Sequence, residues 1–196
     1  MGDLASGSGD KRHALKVRKD DLYETPPEAV SALLRMENIP DVIWEPACGP
    51  GSIVRVLRMA GKQVYATDLV DYDSPDQDFH GWDFLMEKQI PLGVEAIITN
   101  PPYKLAGQFA THALMLCPKV IMLLRLAFLE SEGRSSILDG GHLARVLPFR
   151  DRLAMMHRAG WTGPKSTNTI AFAWFVWERG WNKPTEMRRI SWRRDG

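Results

Sequence analysis

The 196-residue sequence predicts an α/β fold built on a mostly parallel sheet. Three observations carry that reading. Short apolar, β-branched runs alternate with stretches of helical periodicity. The first core run, Val42-Ile43-Trp44, feeds a glycine-containing turn, Glu45-Pro46-Ala47-Cys48-Gly49-Pro50-Gly51, and then a helix. The second, Gln63-Val64-Tyr65-Ala66-Thr67, ends on an acid at Asp68-Leu69, about 20 residues past the turn. Together they form a βαβ unit of the kind that lets backbone approach a ligand at a helix N-terminus while an acid reaches ribose hydroxyls.

Composition frames these elements. Hydrophobic residues at 44% and charged residues at 25% are ordinary globular values, and the length suits one domain with arms. Cys48 and Cys117 provide neither a disulfide framework nor metal spacing, which fits a reducing setting. The five histidines are scattered, so no metal site is expected. No apolar run reaches membrane-spanning length and no signal-peptide core opens the chain, so a cytoplasmic protein with no membrane partner is expected. Net charge is only +1 but unevenly placed. Lys11, Arg12, Lys16, Arg18 and Lys19 lie near the start. Arg179, Lys183, Arg188, Arg189, Arg193 and Arg194 lie near the end, interleaved with Trp181 and Trp192. Such ends suit a phosphate backbone or form solvated tails; the pattern admits both.

In chain order, Met1 to Asp10 is Gly- and Ser-rich and is left outside the fold. Tyr23-Glu24-Thr25-Pro26-Pro27-Glu28 reads as a helix start, with Thr25 as N-cap, Pro26 at the first helical position and Glu28 completing a capping box. Val30, Leu33 and Leu34 supply the apolar stripe. After the glycine turn, Ile53, Val56, Leu57 and Ala60 mark a helix face, with Gly61 closing it. Asp71 to His80 is polar and reads as loop. Ala96-Ile97-Ile98-Thr99 is a buried strand that runs into Asn100-Pro101-Pro102-Tyr103. The two prolines fix φ and donate no hydrogen bond, which stiffens the turn at the strand's carboxyl end, where ligands sit in open α/β sheets. A helix follows over Leu105 to Cys117, with Phe109, Ala113 and Leu116 inward, then the apolar strand Val120 to Leu124. Arg125 to Gly141 reads as a mobile loop holding a short helix near Ser135 to Leu138. Leu143 to Leu147 and Ile170 to Trp177 read as the last two strands, antiparallel. The excursion between them, Phe149-Arg150 through Asn168, is where target contacts are expected, and Trp174, Phe175 and Trp177 are expected in the core.

Asn-Pro-Pro-Tyr after a strand resembles the catalytic motif of the S-adenosylmethionine-dependent amino-methyltransferases, and the glycine turn resembles their acidic-x-x-x-Gly-x-Gly pattern. The resemblance covers roughly residues 21 to 180 and is closest to small phage-type DNA adenine-N6 enzymes. It implies a Rossmann-like class I methyltransferase fold: a mostly parallel seven-stranded sheet with an antiparallel last strand and helices on both faces. It implies a flexible basic N-terminal arm over residues 1–20, a methyltransferase domain over 21–180 and a basic C-terminal tail over 181–196.

The same resemblance implies S-adenosyl-L-methionine held by Tyr23, Thr25, Pro26, Glu45, Pro46, Ala47, Cys48, Gly49, Gly51, Asp68, Leu69, Asp83, Phe84 and Asn100. Within that set, Glu45 lies near the methionine moiety, Asp68 takes the ribose, and Asp83-Phe84 meets the adenine. Gly49 and Gly51 remove side chains that would obstruct the cofactor. Catalysis falls to Asn100, Pro101, Pro102 and Tyr103. Lys16, Arg18, Lys19, Tyr103, Lys104, Phe149 and Arg150 are the residues expected on nucleic acid, in a monomer or homodimer. No separate target-recognition domain fits between the motifs, so recognition would come from the basic arms, the 148–169 excursion or a second subunit.

The chemistry follows from the residue types. An exocyclic amine is a poor nucleophile because its lone pair is delocalised into the ring. Two acceptors aimed at its hydrogens, the Asn100 side-chain oxygen and the Pro101 carbonyl, favour a pyramidal nitrogen. Tyr103 supplies a face for an extruded base, a contact that carries about 1–3 kcal/mol. Cytosine C5 methylation is disfavoured because it needs a thiolate at the ring. Adenine N6 of DNA is the expected substrate. Cytosine N4, an RNA base (adenine N6 or guanine N2) and a protein glutamine present similar planar amines. An inactive module that binds cofactor or nucleic acid is the non-enzyme alternative.

Overall fold

The computed structural model describes residues 23–153, 155 and 170–193. Its elements are α1 (Pro27–Met36), β1 (Val42–Glu45), α2 (Ser52–Met59), β2 (Gln63–Asp68), β3 (Phe79–His80), β4 (Ala96–Thr99), α3 (Ala106–Leu116), β5 (Lys119–Arg125), α4 (Ser135–Leu138), β6 (Leu143–Pro148), β7 (Phe172–Glu178) and β8 (Glu186–Met187). They form one sheet in the order β3-β2-β1-β4-β5-β7-β6-β8. The pairs β1–β2, β2–β3, β1–β4, β4–β5 and β6–β8 are parallel, and β7 alone runs against both of its neighbours, β5 and β6.

Strand alternation explains why helices cover both faces. Successive side chains point to opposite sides of a sheet. Ile43, Ile98, Ile121 and Trp174 accordingly join Val30, Leu33, Ile53 and Leu57 of α1 and α2 in one core. Trp44, Ile97, Val120, Met122 and Phe175 join Phe109 and Ala113 of α3 in the other. Three large indoles pack fully buried because each N–H is satisfied. Trp44 Nε1 donates to Thr67 Oγ1 at 2.9 Å, Trp174 Nε1 to the Ala29 carbonyl at 3.0 Å, and Trp177 Nε1 to the Ile137 carbonyl at 2.8 Å. Trp174, Phe175 and Trp177 are therefore core residues, as expected from the sequence.

Four local expectations are revised. The capping box does not form: Pro26 occupies the N-cap of α1 with no side-chain cap, because the Thr25 hydroxyl accepts a hydrogen bond from Asn100 instead. The Asp71–His80 segment ends in a short parallel strand, β3, at the sheet edge. Residues 125–141 are packed rather than open. Two 3-10 turns, Leu126–Leu129 and Glu132–Arg134, precede α4 and bury Phe128 and Ile137. The region expected as a basic tail supplies an eighth strand. The β8 segment lies beside β6, the Ile190 N–H donates to the Pro148 carbonyl at 2.9 Å, and Ile190 is buried. Its apolar Ile190 and the free edge of β6 outweigh the surrounding arginines.

No described helix is long and apolar enough to cross a membrane.

Candidate functional site: a crevice between β1 and β4

The strand order reverses at β1, which is flanked by β2 on one side and β4 on the other. Ligands of open α/β sheets bind outside the carboxyl ends of the strands at such a reversal. An open cleft lies there, lined among others by Tyr23, Thr25, Glu45, Gly49, Asp68 and Asn100. Ala47, Cys48, Pro101 and Pro102 also line it.

The glycine turn is built by backbone geometry. Gly49 and Gly51 have φ of 54° and 89°, in the left-handed region that a side chain resists. At Gly51 an added Cβ would lie 2.2 Å from Asp76 Cβ. This glycine is therefore required where the Asp71–Asp78 loop folds over the turn. Asp68 holds the turn to the end of β2. Its Oδ2 accepts from the Gly49 N–H at 3.0 Å and its Oδ1 from the Val70 N–H at 2.9 Å. A carboxylate oxygen can accept more than one hydrogen bond, so this backbone role is compatible with a ribose hydroxyl donating to Asp68 as well.

Glu45 ends β1 with 1% exposure, and its Oε2 has no hydrogen-bond partner among the described residues. Burial pushes its carboxyl well above the ordinary value of 4.5. The nearby Asp68 charge adds to the rise, while Thr99 and the Asn100 backbone oppose it. A buried carboxyl facing a cleft in this way suits a cationic ligand, whose charge would restore the ionised form. Burial likewise pushes the Cys48 and Cys117 thiols up, so neither stands ready as a thiolate.

Asn100 begins the stiff turn after β4. Its Nδ2 donates to the Tyr23 carbonyl at 2.8 Å and to Thr25 Oγ1 at 3.1 Å. A carbonyl can only accept, so these bonds fix which end of the amide is the NH2. The Oδ1 is left buried with no partner among the described residues. The next backbone acceptor, the Pro101 carbonyl, also receives no hydrogen bond from any described residue. Tyr103 follows in a 3-10 turn. Its ring is held by Tyr23 (centroids 5.0 Å apart), by Phe172 (5.7 Å) and by the Arg125 guanidinium, 4.8 Å from the ring centre.

Not every expected residue reaches the cleft. Phe84 is buried against Trp44, Phe109 and His112, and Asp83 accepts from the Leu85 N–H as a local cap. Phe84 is thus core, because three neighbouring rings offer it more burial than the cleft does. Pro26, Pro46, Gly51 and Leu69 flank the cleft without lining it. Phe149 packs against the core and bridges Ile190, while Arg150 is exposed beyond it. Lys104 is exposed beside Tyr103. Lys16, Arg18, Lys19 and most of the 148–169 excursion lie outside the described residues.

Sequence reasoning missed Glu24, Ser52 and Tyr72, which also line the cleft. Ser52 Oγ donates to Glu24 Oε1 at 2.6 Å, joining the segment before α1 to the start of α2. Only the position of Ser52, just after the glycine turn, hinted at this. Tyr72 comes from a segment that read as polar linker.

No family model matches the chain. Its fold does match solved structures. A protein from Pyrococcus horikoshii, provisionally assigned as an RNA methyltransferase, aligns over 89% of this chain and 99% of its own, with TM-score 0.61 and 15% identity. A provisionally assigned type I restriction-enzyme modification subunit from Vibrio vulnificus aligns over 98% of this chain and 54% of its own, with TM-score 0.54 and 14% identity. Magnesium protoporphyrin IX methyltransferase from Synechocystis PCC 6803, solved with S-adenosylmethionine bound, aligns over 91% and 87%, with TM-score 0.51 and 18% identity. The chain thus has the Rossmann-like fold of class I S-adenosylmethionine-dependent methyltransferases, extended at one edge by β8.

Proposed function

We propose that this protein is an S-adenosylmethionine-dependent methyltransferase that modifies the exocyclic N6 amine of adenine in DNA. One observation carries the reading. Asn100 spends its NH2 on Tyr23 and Thr25 and keeps an oxygen with no partner among the described residues, in the same cleft as Glu45, Gly49 and Asp68.

The cleft fits the cofactor by its donor set. The buried Glu45 carboxyl suits an ammonium group, Asp68 suits ribose hydroxyls, and the glycine turn presents backbone without side chains. S-adenosylmethionine, when bound, supplies an electrophilic methyl group. The protein supplies position. Asn100 Oδ1 and the Pro101 carbonyl accept the two hydrogens of the target amine and draw its lone pair out of conjugation. The nitrogen sheds one proton as it gains carbon, and these acceptors stabilise that proton until water takes it. No covalent enzyme intermediate is needed, so orientation provides most of the rate enhancement.

The Pyrococcus likeness favours an RNA base as the second reading. Radiolabelled methyl transfer to unmethylated DNA, RNA and ribosomal protein, with nucleoside analysis, separates the two. Label in N6-methyladenine of DNA is expected. Label confined to RNA or protein overturns the substrate, and no transfer to any of the three favours an inactive binding module.

A further inference from the structure

Arg125 ends β5, beside the strand that carries Asn100, and is half-buried. Its guanidinium lies over the Tyr103 ring, and its Nε is buried with no hydrogen-bond partner among the described residues. None of the ion pairs formed by described residues includes it, whereas Arg55, Arg58, Lys62, Lys119 and Arg145 each face a carboxylate. A partly buried guanidinium whose Nε meets no acceptor among the described residues is costly unless a further group completes it.

The same tyrosine also lines a groove. Tyr103, Lys104, Gln108, His112, Ser131 and Arg134 are among its lining, and no carboxylate is. Lys104, Gln108 and His112 fall on one face of α3 and the turn before it, at helical spacing. Arg134 is fixed over Phe128 at 4.4 Å, with Nη1 on the Phe128 carbonyl. His112 Nε2 is buried and also lacks a partner among the described residues. The groove thus combines cations, neutral hydrogen-bonding groups and an aromatic ring, which suits a polyanion with planar bases.

We infer that Arg125 binds a phosphodiester of the nucleotide whose base enters the Asn100 cleft, and that the strand continues along the Lys104–Arg134 groove. The inference rests on the nucleic-acid reading of the cleft. Arginine suits this position because its planar fork can stack on Tyr103 and still present N–H groups to two phosphate oxygens.

The test uses the full chain and fluorescein-labelled mixed-sequence oligodeoxynucleotides and oligoribonucleotides, titrated at several salt concentrations. Arg125→Gln is expected to weaken binding about tenfold and lower the slope of log affinity against log salt by about one. S-adenosylhomocysteine affinity and melting temperature should stay at wild-type values. Arg125→Lys should restore the salt slope but only part of the affinity. Arg134→Gln, farther along the groove, should weaken binding about threefold with a smaller slope change, and it carries the test if Arg125→Gln fails to fold. Wild-type affinity and slope in Arg125→Gln overturns the inference. So does a weaker affinity at unchanged slope, which would mark packing under Tyr103. A wild-type protein that binds neither oligonucleotide overturns the nucleic-acid reading itself. Tighter binding of RNA than DNA supports the groove while moving the substrate to RNA.

Discussion

Asp68, at the end of β2, spends both carboxylate oxygens on backbone N–H groups, whereas Asn100, at the end of β4, and Arg125, at the end of β5, each leave an atom without a partner among the described residues. Glu45, at the end of β1, belongs with the second group. The two sides of the crevice lie on the same sheet and are built from similar strands, so the difference is not one of fold. The β2 side completes its own hydrogen bonds and folds as a finished cradle. The β1, β4 and β5 ends keep buried polar atoms that no described residue satisfies. Such atoms are costly, and they persist where an external ligand completes them. The comparison separates residues that shape the site from residues that act in it.

Substitution of Asn100 should give the largest effect. Asn100→Ala is expected to lower the single-turnover methyl-transfer rate about 10²–10³-fold, the size seen when one positioned polar group is removed. Cofactor affinity, read by calorimetry with S-adenosylhomocysteine, should change less than about threefold, because Asp68 and the glycine turn are untouched. Equal loss of rate and cofactor affinity would place Asn100 among the shaping residues and dissolve the distinction. Asp68→Ala should behave in the opposite sense. It strands the Gly49 and Val70 N–H groups, so the apo protein is expected to lose about 3 kcal/mol of unfolding free energy. Denaturant titration without cofactor checks this, and a loss under about 0.5 kcal/mol would show that the cradle is not self-sufficient.

Much of this arrangement was legible in the sequence, for a definite reason. Buried strands such as Ile97-Ile98 and Val120–Leu124 carry their own signal in β-branched and apolar runs. The Asn100-Pro-Pro-Tyr turn was legible because two adjacent prolines allow few backbone paths. What failed was the assignment of polar side chains with several possible partners. Thr25 had the position and chemistry of an N-cap, yet Asn100, 75 residues away, took its hydroxyl. No local pattern encodes that competition. Asp83-Phe84 does not line the cleft either: Phe84 packs against Trp44, Phe109 and His112, contacts distant in sequence that a dipeptide does not reveal. Arg125 was hidden because its meaning depends on no carboxylate among the described residues pairing with it, which no local pattern encodes. The eighth strand escaped notice because Glu186–Met187 has no strand periodicity and pairs only because β6 has an open edge.

Gly51 offers a smaller and more local test of the self-completed side. Gly51→Ala forces a left-handed φ of 89° on a residue with a Cβ and drives that atom into Asp76. The expected cost is about 2 kcal/mol or more, of which the backbone conformation accounts for about 1–2 kcal/mol. In an Asp76→Gly background the clashing atom is gone, and the additional cost of Gly51→Ala should fall to the backbone part alone. The Arg55–Asp76 pair lost in that background is largely solvent-facing on the arginine side and contributes little. Additive costs in the double-mutant cycle would show that the glycine answers to something other than the Asp76 loop.

The smallest effect, and the sharpest on the incomplete side, is the pH dependence contributed by Glu45. Its carboxyl titrates well above 4.5 in the folded protein because ionisation there is opposed by burial and by Asp68. A raised folded value means that stability from this group is complete below the unfolded value and is lost as pH rises toward the folded one. The apo protein should therefore become less stable over that interval, and Glu45→Gln should flatten the curve. Ligand binding should run the other way. A cationic amino-acid moiety favours the ionised carboxyl, so binding releases a proton and affinity climbs with pH by at most about tenfold per unit. Calorimetry of S-adenosylhomocysteine binding between pH 5 and pH 8, in buffers of different ionisation enthalpy, reads that proton directly. A binding enthalpy independent of buffer, with affinity flat across the range, would mean that Glu45 does not meet the ligand. Its unpartnered oxygen would then no longer distinguish the β1 end from the finished cradle beside it.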